Sequence, residues 1–247
     1  MPENDQQLID AAYQYIRDHE HELIERFADP KVYKPSSQPV TLFMAGSPGA
    51  GKTEVSKRLI EVFTGNLPVR IDADDIRIMF PNYTGMNSHI FQRACTKGVH
   101  ILFDHALHKN MNAILDGPFA CEGAMDNLER SLNYNRRVII YYLFQDPAVA
   151  WKFTQIREAK EGRRVSKEVF INSFLRAREN VDKAKAHFGD KIELNLFIKD
   201  FSKDFEKLYD NIERLDKYLP IIYTQEALEQ SLLWWRSLNN YLPQNKK

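Results

Sequence analysis

The residues with the clearest chemistry form one short segment whose pattern, Gly-x-x-x-x-Gly-Lys-Thr, is typical of a phosphate-binding loop. Its glycines let the backbone turn tightly and aim N–H groups inward. Lys52 would reach the β- and γ-phosphates of a nucleoside triphosphate, and Thr53 would offer a hydroxyl to Mg²⁺. The predicted nucleotide-binding residues of this loop are Gly46, Ser47, Pro48, Gly49, Ala50, Gly51, Lys52 and Thr53, and Arg164, further along the chain, is predicted to bind the nucleotide with them.

Acidic residues follow two other short apolar runs of the chain. Val69–Ile71 leads into Asp72 and Asp74, and Ala113–Leu115 leads into Asp116. Phosphoryl transfer needs a base for the acceptor hydroxyl and a metal ion. We therefore predict Asp74 as the base, Asp72 as the holder of a metal-bound water, and Asp116 as a residue that orients Mg²⁺ or the acceptor hydroxyl. The alternative is that these acids only cap helices or start turns, positions that also favour Asp.

Arginines surround a glycine further along the chain. Arg157 lies in a helical pattern that Gly162 interrupts, and Arg163 and Arg164 precede the next helix. Such a segment can move guanidinium groups onto a triphosphate and exclude water, which predicts a lid over residues 157–167. A charged surface hairpin of helices is the alternative. Which of Arg163 and Arg164 points inward is left open by the sequence.

The elements that must position these residues alternate between strand and helix patterns. This alternation predicts an α/β fold with a parallel sheet of about five strands and helices on both faces. The phosphate loop and the acids would then share the rim at the carboxyl ends of the strands. We expect an N-terminal helix over residues 4–28 and C-terminal helices over residues 202–219 and 224–240. The predicted units are residues 1–37, a core at 38–200, and residues 201–247 packed on it.

Composition narrows the class of protein. The 247 residues carry 34 basic and 34 acidic side chains, and 43% are hydrophobic, which is ample for a buried core. This balance gives no global attraction to nucleic acid or to a membrane surface, so we expect neither as a partner. Two cysteines without metal-ligand spacing, no apolar run near 18 residues and no signal-peptide pattern predict a reduced, cytoplasmic protein.

With these residues placed, the chain resembles the zeta toxin family of P-loop kinases over roughly residues 38–200. The resemblance rests on the Gly-Ser-Pro-Gly-Ala-Gly-Lys-Thr loop, on Ile71-Asp72-Ala73-Asp74, and on the arginine-bearing lid. It implies a kinase that phosphorylates UDP-N-acetylglucosamine from ATP or GTP with Mg²⁺. It further implies that Asp74 activates the sugar hydroxyl, that Arg157 and most plausibly Arg163 clamp the transferring phosphate, and that a small helical antitoxin blocks the nucleotide site.

The substrate half departs from the family pattern. Where the family has Glu-Gly-Thr-Gly-Arg, this chain has Asp116-Gly117-Pro118-Phe119-Ala120, and the glutamate expected on the long helix is His100, with Asp104 one turn away. We predict His100, Asp104 and Asp116, with Asp74, as substrate-binding residues. A kinase for another hydroxyl compound, such as an antibiotic or another sugar, and a non-catalytic ATP-binding switch remain the alternatives.

Overall fold

The computed structural model describes residues 3–162, 164–200 and 205–241. Its elements in chain order are α1 (Glu3–Asp18), α2 (Glu20–Ala28), β1 (Val40–Ala45), α3 (Lys52–Glu61), β2 (Val69–Ile71), α4 (Ala73–Arg77), α5 (Ser88–His108), β3 (Ala113–Leu115), α6 (Ala124–Asn133), β4 (Arg137–Gln145), α7 (Pro147–Glu161), α8 (Lys167–Phe188), a 3₁₀ turn (Gly189–Lys191), β5 (Ile192–Asp200), β6 (Phe205–Tyr209) and α9 (Gln225–Tyr241).

Six strands in the described ranges form one sheet in the order β2-β3-β1-β4-β5-β6. The first five strands are parallel, and β6 runs antiparallel to β5. The strands β1 and β4 are almost wholly apolar because both faces of the sheet are covered there. The predicted α/β class with a mostly parallel sheet is confirmed, and a sixth, antiparallel strand adds to the five that were predicted.

Two apolar cores lie on opposite faces of the sheet. The larger core joins one face of the strands, including Phe43, to residues of the long helix α5 such as Phe103 and of α8 such as Phe170. The smaller core joins the other face, including Met44, to Val55 and its neighbours on α3. The N-terminal helices α1 and α2 also contribute to the larger core. The sheet is therefore fixed from both sides, which keeps the carboxyl ends of its strands in place.

The predicted helix over residues 202–219 is wrong from residue 205 onward, and residues 202–204 lie outside the described residues. Residues 205–209 form β6, and its backbone pairs with the edge of β5. The chain then leaves the strand at Asn211, which has a positive φ of 44° and donates its N–H to the side-chain oxygen of Asn195. The apolar spacing of this segment fits a helix as well as a strand, and the free edge of β5 decides between them.

Two smaller findings concern the remaining helices. The N-terminal helix is divided at His19, whose ring nitrogen Nδ1 lies 2.8 Å from the carbonyl oxygen of Tyr15, so residues 4–28 form two helices rather than one. Across the part of the chain that the structure describes, no helix is both long and apolar enough to cross a membrane.

Candidate active site

The phosphate loop connects β1 to α3, and its conformation requires glycine. Gly46 and Gly49 have φ values of 130° and 78°. A Cβ atom at these positions would lie 2.4 Å from the carbonyl oxygen of Leu143 and 2.1 Å from that of Ala150. Gly51, with a φ of 86°, is the N-cap of α3. The loop therefore folds against β4 and α7 in a way that side chains would prevent, and it leads directly to the positive end of a helix.

The side chain of Lys52 folds back into this loop. Its Nζ donates hydrogen bonds to the carbonyl oxygens of Gly46, at 3.1 Å, and Ser47, at 2.8 Å. Thr53 follows in the first turn of α3 and is half-buried. An ammonium group held inside the turn and a hydroxyl at the helix N-terminus are suited to bind phosphate oxygens and the metal ion that accompanies them.

Arg70, in the middle of β2, is the centre of an ion cluster in the site. No role for this residue was predicted from the sequence. Its guanidinium group contacts Asp72 at 2.5 Å, Asp75 at 2.5 Å and Asp116 at 2.7 Å. Only 12% of the Arg70 side chain is exposed. Ser56 of α3 joins the same cluster, because its hydroxyl donates to Oδ2 of Asp116 at 2.6 Å. The cluster thus ties the helix after the phosphate loop to the ends of β2 and β3.

The charge of Arg70 is stabilised by these carboxylates. Burial on its own would lower the pKa of the guanidinium group, but Asp116 first, and then Asp72 and Asp75, raise it above its usual value. Arg70 is therefore a permanent cation among three acids. One signal in the sequence could have identified it, since a charged residue inside a three-residue buried strand next to acids needs a counter-ion.

This arrangement limits what Asp72 and Asp116 can do. One oxygen of Asp72 accepts the backbone N–H of Asp74 at 2.9 Å, as the N-cap of α4, and the other contacts Arg70. The side chain of Asp116 is 2% exposed. Among the described residues, no cluster of three acidic, histidine or cysteine side chains could hold a metal ion. The Thr53 hydroxyl still fits Mg²⁺ that arrives with phosphate, because Mg²⁺ commonly takes one or two protein ligands and keeps its waters.

Asp74 lies in the first turn of α4 and faces two arginines. Oδ1 is 2.5 Å from Nη1 of Arg77, and Oδ2 is 4.0 Å from Nη2 of Arg157. The Asp74 side chain is 29% exposed. Arg77 is buried and also donates to the side chain of Gln92 on α5, at 2.7 Å. The carboxylate is therefore paired with buried Arg77 through one oxygen, lies close to Arg157 of the predicted lid through the other, and is partly exposed.

The lid segment has the predicted glycine break. The helix α7 carries Arg157, and Gly162 ends it with a φ of 71°. Arg164 is 79% exposed and lies 3.9 Å from Glu158. Arg163, predicted as the second phosphate clamp, lies outside the described residues. The structure thus brings Arg157 to Asp74 and leaves Arg164 at the surface.

The two predicted substrate residues of α5 lie away from Asp74. Asp104 pairs with Arg130 of α6. Along α5, Gln92, which reaches Arg77, is separated from His100 by about 12 Å and from Asp104 by about 18 Å, at 1.5 Å per residue. Within the described structure, neither side chain is grouped with Asp74 and Arg157 by any contact.

Comparisons with known proteins identify the family and the fold. The zeta toxin family matches residues 24–213. The solved structures similar to the chain include one described as the PezAT chromosomal toxin-antitoxin system of Streptococcus pneumoniae. That similarity has 17% identity, covers 96% of this chain and 98% of that chain, and has a TM-score of 0.62.

Two further similar structures are crystal structures of the AvrRxo1-ORF1:-ORF2 complex. The native complex has 15% identity, coverage of 98% of this chain and 85% of that chain, and a TM-score of 0.56. The complex with ATP has 14% identity, coverage of 84% and 67%, and a TM-score of 0.52. A comparison with curated protein sequences found no match. The family match extends over most of the chain and includes the phosphate loop, Asp74 and the lid, and this chain therefore belongs to the zeta toxin family.

Proposed function

We propose that this protein is a kinase that transfers the γ-phosphate of ATP or GTP, with Mg²⁺, to a hydroxyl group of a small molecule. The observation that carries the proposal is the position of Asp74, which is held at 2.5 Å by buried Arg77 and faces Arg157 of the lid helix at 4.0 Å. A carboxylate that is ion-paired on one side, partly exposed and close to a second guanidinium group suits a general base in phosphoryl transfer.

Each group has a separate task in this reaction. Lys52 and the backbone N–H groups of the loop bind the β- and γ-phosphates. The Asp74 carboxylate accepts the proton of the acceptor hydroxyl, whose oxygen forms the new bond to the γ-phosphorus as the bond to the β-phosphate oxygen breaks. Arg157 offsets the charge on the transferring group. Mg²⁺, when bound beside Thr53, supplies charge neutralisation between the β- and γ-phosphates.

For the acceptor, we propose a nucleotide sugar such as UDP-N-acetylglucosamine. Family membership supports this choice. A different hydroxyl acceptor is the second candidate, and one observation favours it. Asp116, which was predicted to orient Mg²⁺ or the acceptor hydroxyl, is buried against Arg70 and Ser56. Its carboxylate is therefore engaged inside the protein rather than directed to an acceptor.

Family membership also supports a partner. We propose that a small helical antitoxin holds the enzyme inactive by covering the nucleotide site. The similarity to a structure described as a toxin-antitoxin system agrees with this proposal. Co-expression of the gene adjacent to that of this chain should restore the growth of cells that express the chain, whereas continued growth arrest would argue against such a partner.

The acceptor is tested by mass spectrometry of purified wild-type protein incubated with Mg²⁺, ATP or GTP, and UDP-N-acetylglucosamine. We expect the sugar nucleotide to gain one phosphate, and Lys52→Ala to abolish this gain. As a matched control, Asp126→Asn removes an exposed acid from the first turn of α6 and should leave the gain unchanged. Consumption of ATP only with cell metabolites other than this one would select the second candidate. Tight ATP binding without transfer to any metabolite would select a nucleotide-dependent switch.

A further inference from the structure

Gln145, the last residue of β4, has a side chain that the proposed reaction does not use. The residue is 1% exposed, and among the described residues neither Oε1 nor Nε2 has a hydrogen-bond partner. A buried amide with both polar atoms unpaired is unfavourable, because the amide loses its hydrogen bonds to water and gains none in return. Such a group is retained where a ligand supplies the missing partners, and this suggests that Gln145 belongs to a binding site.

The neighbouring strand places a buried cation beside this amide. Lys199 of β5 is the register partner of Gln145, so both side chains leave the sheet on the same face. Lys199 is 4% exposed. Its Nζ is 3.1 Å from the point that a Cβ of Gly51 would occupy, and it is 3.6 Å from a carboxylate oxygen of Glu206. The ammonium group thus lies at the N-terminus of α3, next to the phosphate loop.

The order of the strands indicates which part of a bound nucleotide would lie beside Gln145 and Lys199. This step rests on the proposed function, in which the γ-phosphate faces Asp74. Asp74 follows β2, which is two strands from β1 on one side, whereas Gln145 and Lys199 end β4 and β5 on the other side. A triphosphate that crosses the loop after β1 with its γ end toward β2 must direct its nucleoside toward β4 and β5.

We propose that Gln145 is a base-recognition residue, whose amide hydrogen-bonds an edge of the nucleobase of the bound ATP or GTP while Lys199 lies beside the α-phosphate. A carboxamide offers one donor group and one acceptor, and nucleobase edges offer the complementary pair. A phosphate offers only acceptors and would leave Oε1 unpaired. Because the amide is buried in the structure, nucleotide binding is coupled to a local opening at the ends of β4 and β5.

Equilibrium binding to the full-length protein in Mg²⁺ tests the proposal with three probes, ATP, GTP and inorganic tripolyphosphate. Gln145→Met keeps the length of the side chain and removes its polar atoms. We expect this variant to weaken the binding of at least one of ATP and GTP about tenfold and to change the ratio of their affinities, the scale of one lost amide–base pair. Tripolyphosphate, which has no base, should bind as it does to the wild type. Lys207→Ala, an exposed lysine of β6, is the matched control and should change none of the affinities.

The outcomes of this experiment distinguish a failure of the base-recognition proposal from a failure of the proposed kinase function. Unchanged affinities in Gln145→Met, or an equal loss for all three probes, would overturn base recognition and leave the kinase proposal intact. An equal loss for ATP and GTP alone would assign Gln145 to the ribose and would also overturn base recognition. The absence of both ATP and GTP binding to the wild type would overturn both proposals. Gln145→Met should retain or raise the melting temperature, because it removes an unpaired buried amide, so its fold can be verified in the same samples.

Discussion

Replacement of Arg70 by methionine should destabilise the protein strongly. Methionine keeps the unbranched apolar part of the side chain and removes the cation. Asp116, which is 2% exposed, would then be a buried charge without a counter-ion among the described residues, and Asp72, which is 11% exposed, would lose its contact with Arg70. Breaking a buried ion pair by removing one partner costs about 3–5 kcal/mol. The third partner, Asp75, is 44% exposed and adds little to this cost.

The assay is thermal and urea unfolding of the wild type and the variant at neutral pH. For a chain of this size, a loss of about 3–5 kcal/mol corresponds to a melting temperature that is lower by about 6–20 °C. Arg137→Met is a matched control, because Arg137 makes a similar forked contact with Glu193 but is 61% exposed. This control should lose about 1 kcal/mol or less.

A second substitution tests the cause of the loss. Asp116→Asn in the Arg70→Met background removes the uncompensated charge and keeps an oxygen that can accept the hydrogen bond from Ser56. The double variant should therefore recover part of the lost stability. The reasoning would be refuted if Arg70→Met and Arg137→Met lost the same small amount, or if Asp116→Asn destabilised the protein further in the Arg70→Met background.

Three other predictions concern the site and its surroundings. Lys52→Ala should weaken ATP binding and abolish transfer in a coupled ADP-release assay; a fully active variant would remove Lys52 from the reaction. Arg77→Met should lower kcat by up to about a hundredfold, since it frees the Asp74 carboxylate to move, while the Kd for ATP stays near that of the wild type. A matching loss in both quantities would show that Arg77 only supports the fold. Burial raises the pKa of both cysteine thiols, that of Cys95 to about 11, but Cys95 is buried and Cys121 is exposed. Iodoacetamide should therefore label Cys121 in the native protein and reach Cys95 only after unfolding; mass spectrometry showing fast native labelling of Cys95 would contradict this.

The parts of the fold that sequence predicted are those fixed by local patterns. The strand that leads to Gly46 and the helix that begins at Lys52 are adjacent in sequence, and the glycine spacing between them requires one backbone geometry. The long helix α5 likewise follows from apolar periodicity over 21 residues. In contrast, residues 205–209 form a strand because β5 offers an edge, and no local pattern encodes that edge.

The residues of the candidate site also divide into those that local patterns predict and those that only the fold brings together. The location of Asp74 at the end of β2 follows from the order of strands and helices. Arg70 was missed because its most buried partner, Asp116, is 46 residues away in the sequence, and only the folded sheet brings that carboxylate beside Asp72 and Asp75. Asp104 was predicted to bind substrate as a substitute for the glutamate that the family has on this helix, and this stays a prediction. Its ion pair with Arg130 could not be predicted, because it depends on how α6 packs against α5.

The central claim is that the Asp74 carboxylate acts as the base in transfer from a triphosphate bound by Lys52. The most direct measurement is kcat and the Kd for ATP of Asp74→Asn beside the wild type, with the acceptor identified by mass spectrometry. We expect kcat to fall by about 10²–10⁴-fold while the Kd for ATP is nearly unchanged. A variant that transfers phosphate at the wild-type rate would contradict the account.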